Sequence, residues 1–361
     1  MLAARGALAA LVATCFLPTL SQIKDRPTGG HGGDHGPVTK CRVSRCGRVS
    51  RGRNAARFAR SPFLRAPAHN GRMPAPDLMP AAFIGHGSPM NTLERNRFTA
   101  QWADFGRALP RPRAILCISA HWFIPGTAVT AMARPRVIHD FYGFPPELFA
   151  FDYPAPGAPE VAREIVEAVK PAHIGLDQDS WGLDHGTWSV LAHVFPAADI
   201  PVLQLAIHSN QELDWHIALG ARLAPLRERG ILILGSGNVV HNLRRLDRNR
   251  PDAGFEWAER FDRAVKSVMT SDPAGLAGVA QHADFPLAVP TPEHFLPLAY
   301  LAGLCKAAGE VPNVFAEGAT MGSLTMTSYV LGAAPPSSGA SAGAGAPLPD
   351  PRDVPPEQTN T

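Results

Sequence analysis

ILILGSGNVVHN, residues 231–242, is the stretch on which the fold turns. Its first half, Ile231 to Leu234, is an unbroken apolar run without the alternation of a strand that keeps one face wet. Such a run suits a strand buried on both sides, inside a parallel sheet with helices on each face. The run stops on Gly235-Ser236-Gly237, and His241 follows shortly after.

Outward from this stretch the same pattern recurs. Ala81–Gly85 is a short apolar run that ends at His86-Gly87-Ser88, and Ala114–Ser119 is another that ends at Ala120-His121-Trp122. Ala128–Met132 and Ile200–Ile207 are further candidate strands. Between them lie helical patterns at Phe98–Leu109, Pro159–Val169, Thr187–Phe195, Glu212–Arg229 and Phe255–Met269. A last one, Pro292–Ala308, has Thr291 as its expected N-cap. Strands alternating with helices predict a single α/β domain over residues 78–332, a central mixed sheet flanked by helices on both faces.

The ends of the chain read differently. Residues 1–77 carry 13 Lys/Arg against three Asp/Glu, whereas the rest carries 21 against 28. The formal net charge of +3 therefore hides a basic leader on an acidic body, which argues against a nucleic-acid partner. The leader has no periodicity. It reads as an over-extended start before Met73 or Met79, or as a targeting segment for export or an organelle. Residues 333–361 are rich in Pro, Gly, Ala and Ser and read as a disordered tail. Five scattered cysteines without close spacing in the body point to a reducing, cytoplasmic setting. No apolar stretch is long enough for a membrane span, so no membrane partner is expected, and oligomeric state is not legible.

The placing of histidines carries the chemistry. His86, His121 and His241 each follow a predicted strand, where α/β proteins build their sites. Neutral imidazole is the commonest side-chain ligand for divalent transition metals, so three such groups on one rim form a candidate metal site. His185, in Asp184-His185-Gly186, precedes a helix, and His294 sits at the predicted start of another. A lone histidine beside glycine is more often a packing residue; the coincidence of several at strand ends favours ligation. His139 in Ile138-His139-Asp140-Phe141 is a candidate for the pocket wall, a surface turn being the alternative. HExxH, CxxC, Walker and Gly-x-Ser-x-Gly motifs are all missing.

Seven ordered motifs then carry a resemblance: GHGSPMN (85–91), SAHWF (119–123), DYPAPG (152–157), WGLDHGTW (181–188), GSGNVVHNLR (235–244), PTPEHFLPL (290–298) and MGSLTM (321–326). Together they resemble the 4,5-DOPA extradiol dioxygenase family, a branch of the class III ring-opening dioxygenases. The resemblance implies one divalent ion, Fe(II) or Zn(II), held by His86, His121 and His241 with His294 as a further ligand. It implies His185 as the catalytic acid/base, and O₂ and a catechol such as DOPA as substrates, opened to a hydroxymuconic semialdehyde. Trp122, Phe141 and His139 would then wall the pocket. A histidine stands where many non-haem iron sites have a carboxylate, which leaves the choice of metal open. Two rivals remain: a zinc hydrolase using the same histidines, disfavoured because no glutamate stands near them in the manner of zinc proteases, and a non-catalytic binding protein of the same fold.

Overall fold

The structure, a computed structural model, describes residues 78–336 and 343–349. The expectations for residues 1–77 lie outside the described residues.

Six strands build the main sheet: β1 (Ala81–Gly85), β2 (Ala114–Ser119), β3 (Val202–Gln204), β4 (Ile231–Gly237), β5 (Asn313–Phe315) and β6 (Ser328–Leu331). Their spatial order is β3-β2-β4-β1-β6-β5. The first four run parallel; β6 pairs antiparallel with β1, and β5 antiparallel with β6. The sheet is therefore mixed, as expected.

The unbroken apolar runs have a direct cause. Successive side chains of a strand point to opposite faces, and here both faces are covered. Phe83, Leu116, Ile118, Ile231 and Ile233 enter one core; Ile84, Ile115, Cys117, Leu232 and Leu234 enter the other. Helices α2 (Pro159–Ala168), α4 (Leu213–Leu223), α5 (Glu256–Ser271) and α6 (Leu296–Ala308) line the first core. Helices α1 (Arg97–Ala108) and α3 (His185–Val194) line the second. Asn96 starts α1 with a reciprocal cap, its side chain accepting from Thr99 N while Thr99 Oγ1 accepts from Asn96 N.

Three elements depart from the sequence prediction. The helix expected over 212–229 breaks, because Pro225 has no N–H to continue α4, and a short helix Pro225–Glu228 follows. The helix expected from Pro292 begins only at Leu296; Thr291 Oγ1 bonds Glu293 instead of capping, which leaves His294 in the preceding turn. The strand expected over 200–207 splits, and Ala128–Thr130 pairs with Gly175–Asp177 outside the main sheet. Within the segment expected to be a disordered tail, residues 343–349 pack on the body, with Ala346 fully buried. Among the described residues no helix is long and apolar enough to cross a membrane.

One consequence of register matters for the site. Gly85 of β1 lies opposite Gly237 of β4, and Ser119 of β2 opposite Ser236. Three neighbouring parallel strands thus end together, and the loops that follow them share one rim.

Candidate active site

The loop after each strand delivers its histidine to that rim. Gly87, at φ +62°, takes the left-handed conformation that turns the chain just after His86. Gly237 allows a different closeness: a Cβ there would stand 2.1 Å from the carbonyl oxygen of His294. The absence of a side chain is what lets the 290–295 turn settle on the end of β4, with Asn238 N donating to that same carbonyl at 2.8 Å.

Five imidazoles converge. His86 Nε2 and His121 Nε2 are 3.3 Å apart. The His121 ring centroid lies 3.9 Å from that of His185 and 5.0 Å from that of His294. His241 stacks flat on His294 at 3.5 Å. The donor atoms of His86, His121 and His294 fall within 4.8 Å of one another, as do those of His241, Glu293 and His294, and those of His121, Asp140 and His185. His241 therefore enters the cluster beside His294, whereas the closest triad with His86 and His121 is completed by His294.

The oxygen partners of these rings fix which nitrogen faces inward. Ser236 Oγ donates to Gly186 O at 2.5 Å, so its single hydrogen is committed. It can only accept from His86 Nδ1, 3.0 Å away, and the lone pair of His86 is left on Nε2. His121 Nδ1 faces Asp140 Oδ2 at 3.2 Å, and His294 Nδ1 faces Glu293 Oε1 at 3.2 Å. Each ring of the triad is thus held at Nδ1 by an oxygen and offers Nε2. Oxygen partners at the distal nitrogen are what orient ligating histidines in metal sites. The facing Nε2 atoms of His86 and His121 are then both acceptors with no hydrogen between them, an arrangement a cation relieves. Two ligands about 2.0–2.1 Å from a tetrahedral ion stand roughly 3.3 Å apart, so the donor set fits a divalent metal.

His185 differs. It is the first residue of α3, and its N-cap Asp184 is fully buried. Asp184 accepts from Ser119 Oγ at 2.7 Å and from Gln204 Nε2 at 2.6 Å, which ties the start of α3 to β2 and β3. Burial raises the Asp184 carboxyl to about 6. Asp140 Oδ1 lies 3.0 Å from His185 Nδ1 and accepts from His185 N at 2.9 Å. Burial alone would push the His185 pKa down, but the Asp140 carboxylate prevails and holds it above the ordinary value. The four other rings go the opposite way. Burial, reinforced by neighbouring imidazoles, lowers His121 to about 3 and His241 to about 4, and depresses His86 and His294 well below the ordinary value. For His294, which lies in the turn before α6, burial is the largest cause.

These shifts give a prediction for the metal-free chain. Between pH 6.5 and 4 the unfolded state protonates the four depressed histidines while the folded state does not, so stability is complete above 6.5 and falls as pH drops. His216, lowered to about 4, adds one proton to this, while Asp184 and Asp262, both raised to about 6 by burial, oppose it by up to one proton each over part of the window. The net slope is expected to approach about three protons, and urea unfolding at stepped pH measures it. A flat profile across that window would contradict the burial of these rings as neutral species.

Trp122 is buried and stacks on Trp181 at 5.7 Å, and Phe141 meets the His185 ring edge-on at 5.6 Å. His139 stays outside the cluster: its Nε2 is bonded to Phe151 O at 2.9 Å and its ring packs on Phe141, Phe149 and Trp188. In the tetrapeptide 138–141 the residue that reaches the imidazoles is Asp140, not His139. Glu293 likewise stands at the cluster, beside His241 and 3.2 Å from His294 Nδ1. Neither carboxylate has a motif spacing that marks it in sequence, and each stands beside a more conspicuous histidine.

Residues 81–332 match the family described as the catalytic LigB subunit of aromatic ring-opening dioxygenase. The chain is 46% identical over 259 residues to a 4,5-DOPA dioxygenase extradiol of Escherichia coli, covering 70% of this chain and 95% of that protein. It is 36% identical to a protein of the same description from Beta vulgaris, covering 63% of this chain and 86% of the relative. A crystal structure of an uncharacterized Escherichia coli protein, JW3007, superposes with a TM-score of 0.61 at 42% identity, covering 70% of this chain and 99% of that one. A rim of imidazoles on a mixed α/β sheet, matched over nearly the full length of these relatives, places the chain in the LigB family of metal-dependent aromatic ring-opening dioxygenases, within its 4,5-DOPA extradiol branch.

Proposed function

We propose that this enzyme uses O₂ to open a catechol such as DOPA beside, rather than between, its hydroxyls, giving a hydroxymuconic semialdehyde. His86, His121, His241 and His294 hold one divalent ion, and His185 is the acid/base. The observation that carries this is the inward Nε2 set, each ring of the closest triad held at Nδ1 by Ser236, Asp140 or Glu293. The names of the relatives support the substrate class.

When bound, the ion supplies Lewis acidity toward the catechol oxygens and, as Fe(II), the redox capacity that Zn(II) lacks. Iron is accordingly the catalytic form in this reading. The protein's own part is to orient and to move protons. His185 Nδ1 lies 3.0 Å from the Asp140 carboxylate as an ion-pair contact, and Nε2 is the nitrogen that takes a phenolic proton and later returns it. The negative Asp140, whose pKa is held below the usual carboxylate range by His185 and His121 against the effect of burial, stabilises the imidazolium formed in that transfer. The Trp122–Trp181 stack and Phe141 offer flat apolar walls to an aromatic ring, with His139 bracing Phe141 from the side. Cys117 and Cys305 are both buried free thiols, in keeping with a reducing, cytoplasmic setting.

The test is direct. Metal-free protein is loaded with Fe(II) under ascorbate and given DOPA or caffeate while yellow product and O₂ are followed. Oxygen uptake matching product is expected with iron, and none with zinc. A folded, iron-loaded sample that consumes no oxygen with either catechol would remove the reading.

A further inference from the structure

Residues 343–349 lie beyond the family match, which ends at 332, yet they run along the very loops that carry the candidate ligands. Gly345 passes Thr320 and Phe98, close enough that a Cβ there would meet both within 3.4 Å. Ala346, with no exposed surface, donates its N–H to Asn91 Oδ1 at 3.0 Å. Ser88 Oγ donates to Pro347 O at 2.8 Å. Arg248 then donates to Leu348 O at 3.2 Å and also to Pro349 O.

The partners of this segment are informative. Ser88 and Asn91 belong to the loop that starts at His86, and Arg248 to the chain that leaves His241. Asn91 is shared: its Nδ2 donates to the carbonyl of His86 itself at 2.9 Å, while its Oδ1 accepts from Ala346 and from Asn96 Nδ2. The backbone position of His86 and the seat of the C-terminal segment therefore depend on one amide. At its other end the segment is gripped by the loop after His241, so a single extended peptide spans both. Pro347 and Pro349 limit its backbone freedom, which reduces the entropy lost on docking.

We infer that residues 345–349 are a positioning strap for the metal site. They pin the His86 loop to the His241 loop and hold the ligand set closed around its ion. The inference rests on the proposed reading of these histidines as ligands. The strap touches no ligand side chain; it acts through Asn91 and Ser88 on one side and Arg248 on the other.

Ala346→Glu places an unpartnered carboxylate in a fully buried position and should expel the strap. Ala346→Pro takes away the N–H that reaches Asn91 and adds a ring at the buried position, so it should loosen the strap as well; Ala346→Ser serves as the conservative control. Two readouts are taken on the full-length chain: hydrogen exchange of the peptide spanning 343–349, and the rate at which bound Zn(II) passes to a colorimetric chelator. In the parent chain the Ala346 amide should be protected. In Ala346→Glu that protection should vanish and Zn(II) release should quicken about tenfold, the effect of losing one or two hydrogen bonds. The thermal midpoint of the metal-free chain should stay in place, and Ala346→Ser should behave as the parent. Loss of protection with unchanged Zn(II) release would overturn the inference, as would an unprotected Ala346 amide in the parent. A parent chain that takes up no Zn(II) at all would instead fail the ligand reading, and the strap with it.

Discussion

His121→Ala is expected to give a folded chain that neither retains a divalent ion nor turns over catechol. His121 sits at the centre of the cluster: its Nε2 faces His86 Nε2 at 3.3 Å, its Nδ1 faces Asp140, and its ring lies against His185 and His294. In the proposed reading, removing it takes away one ligand and also releases half of the carboxylate that faces the acid/base, His185. Loss of a residue that merely orients a ligand costs about 10- to 100-fold in affinity, so loss of the ligand itself should exceed about 100-fold. The fold should survive, because the side chain lies at the rim and the apolar cores do not include it. Metal content after dialysis, read beside circular dichroism, decides the matter. Stoichiometric metal in the variant would show that the ion sits elsewhere among the histidines.

His185→Ala should separate binding from chemistry. Metal content is expected to stay at the parent level and KM to change little, while kcat falls by roughly 10²–10⁴-fold, the usual worth of a positioned acid/base. The distinction follows from electrostatics. The four other rings are held neutral by burial, the state a ligand needs, whereas Asp140 holds His185 above its ordinary pKa, the state a proton carrier needs to be refilled. Asp140→Asn keeps the shape but loses the charge that faces both His185 and His121, and about a tenfold loss in kcat together with a weakened metal affinity is expected from it. Metal loss in His185→Ala with the fold intact would reverse the division of roles between His185 and its neighbours.

Strands β1 and β2 coincide with the runs read from sequence, and β4 continues to Gly237, past the apolar run that ends at Leu234. These are buried on both faces, so their apolar character is continuous and visible without knowledge of the partners. The antiparallel edge, β5 and β6, was not legible: Ser328-Tyr329-Val330-Leu331 is too short and too mixed to stand out, and it becomes a strand by pairing with β1. The same division holds at the site. His86, His121 and His241 were marked by the apolar run that ends shortly before each of them, with glycines added at His86 and before His241. Asp140 and Glu293 were not, because a carboxylate in a loop looks like any solvated charge until its neighbours are known.

What the chain determines locally is where strands end and which side chains stand there, since side-chain periodicity and glycine conformation are properties of a few consecutive residues. What only the tertiary structure decided is the state of those side chains. Ser236, 150 residues from His86, fixes its tautomer, and Asp140, 45 residues from His185, fixes its charge. Hydrogen-bond geometry and desolvation depend on distances through space, and it is folding that brings these segments within reach of one another.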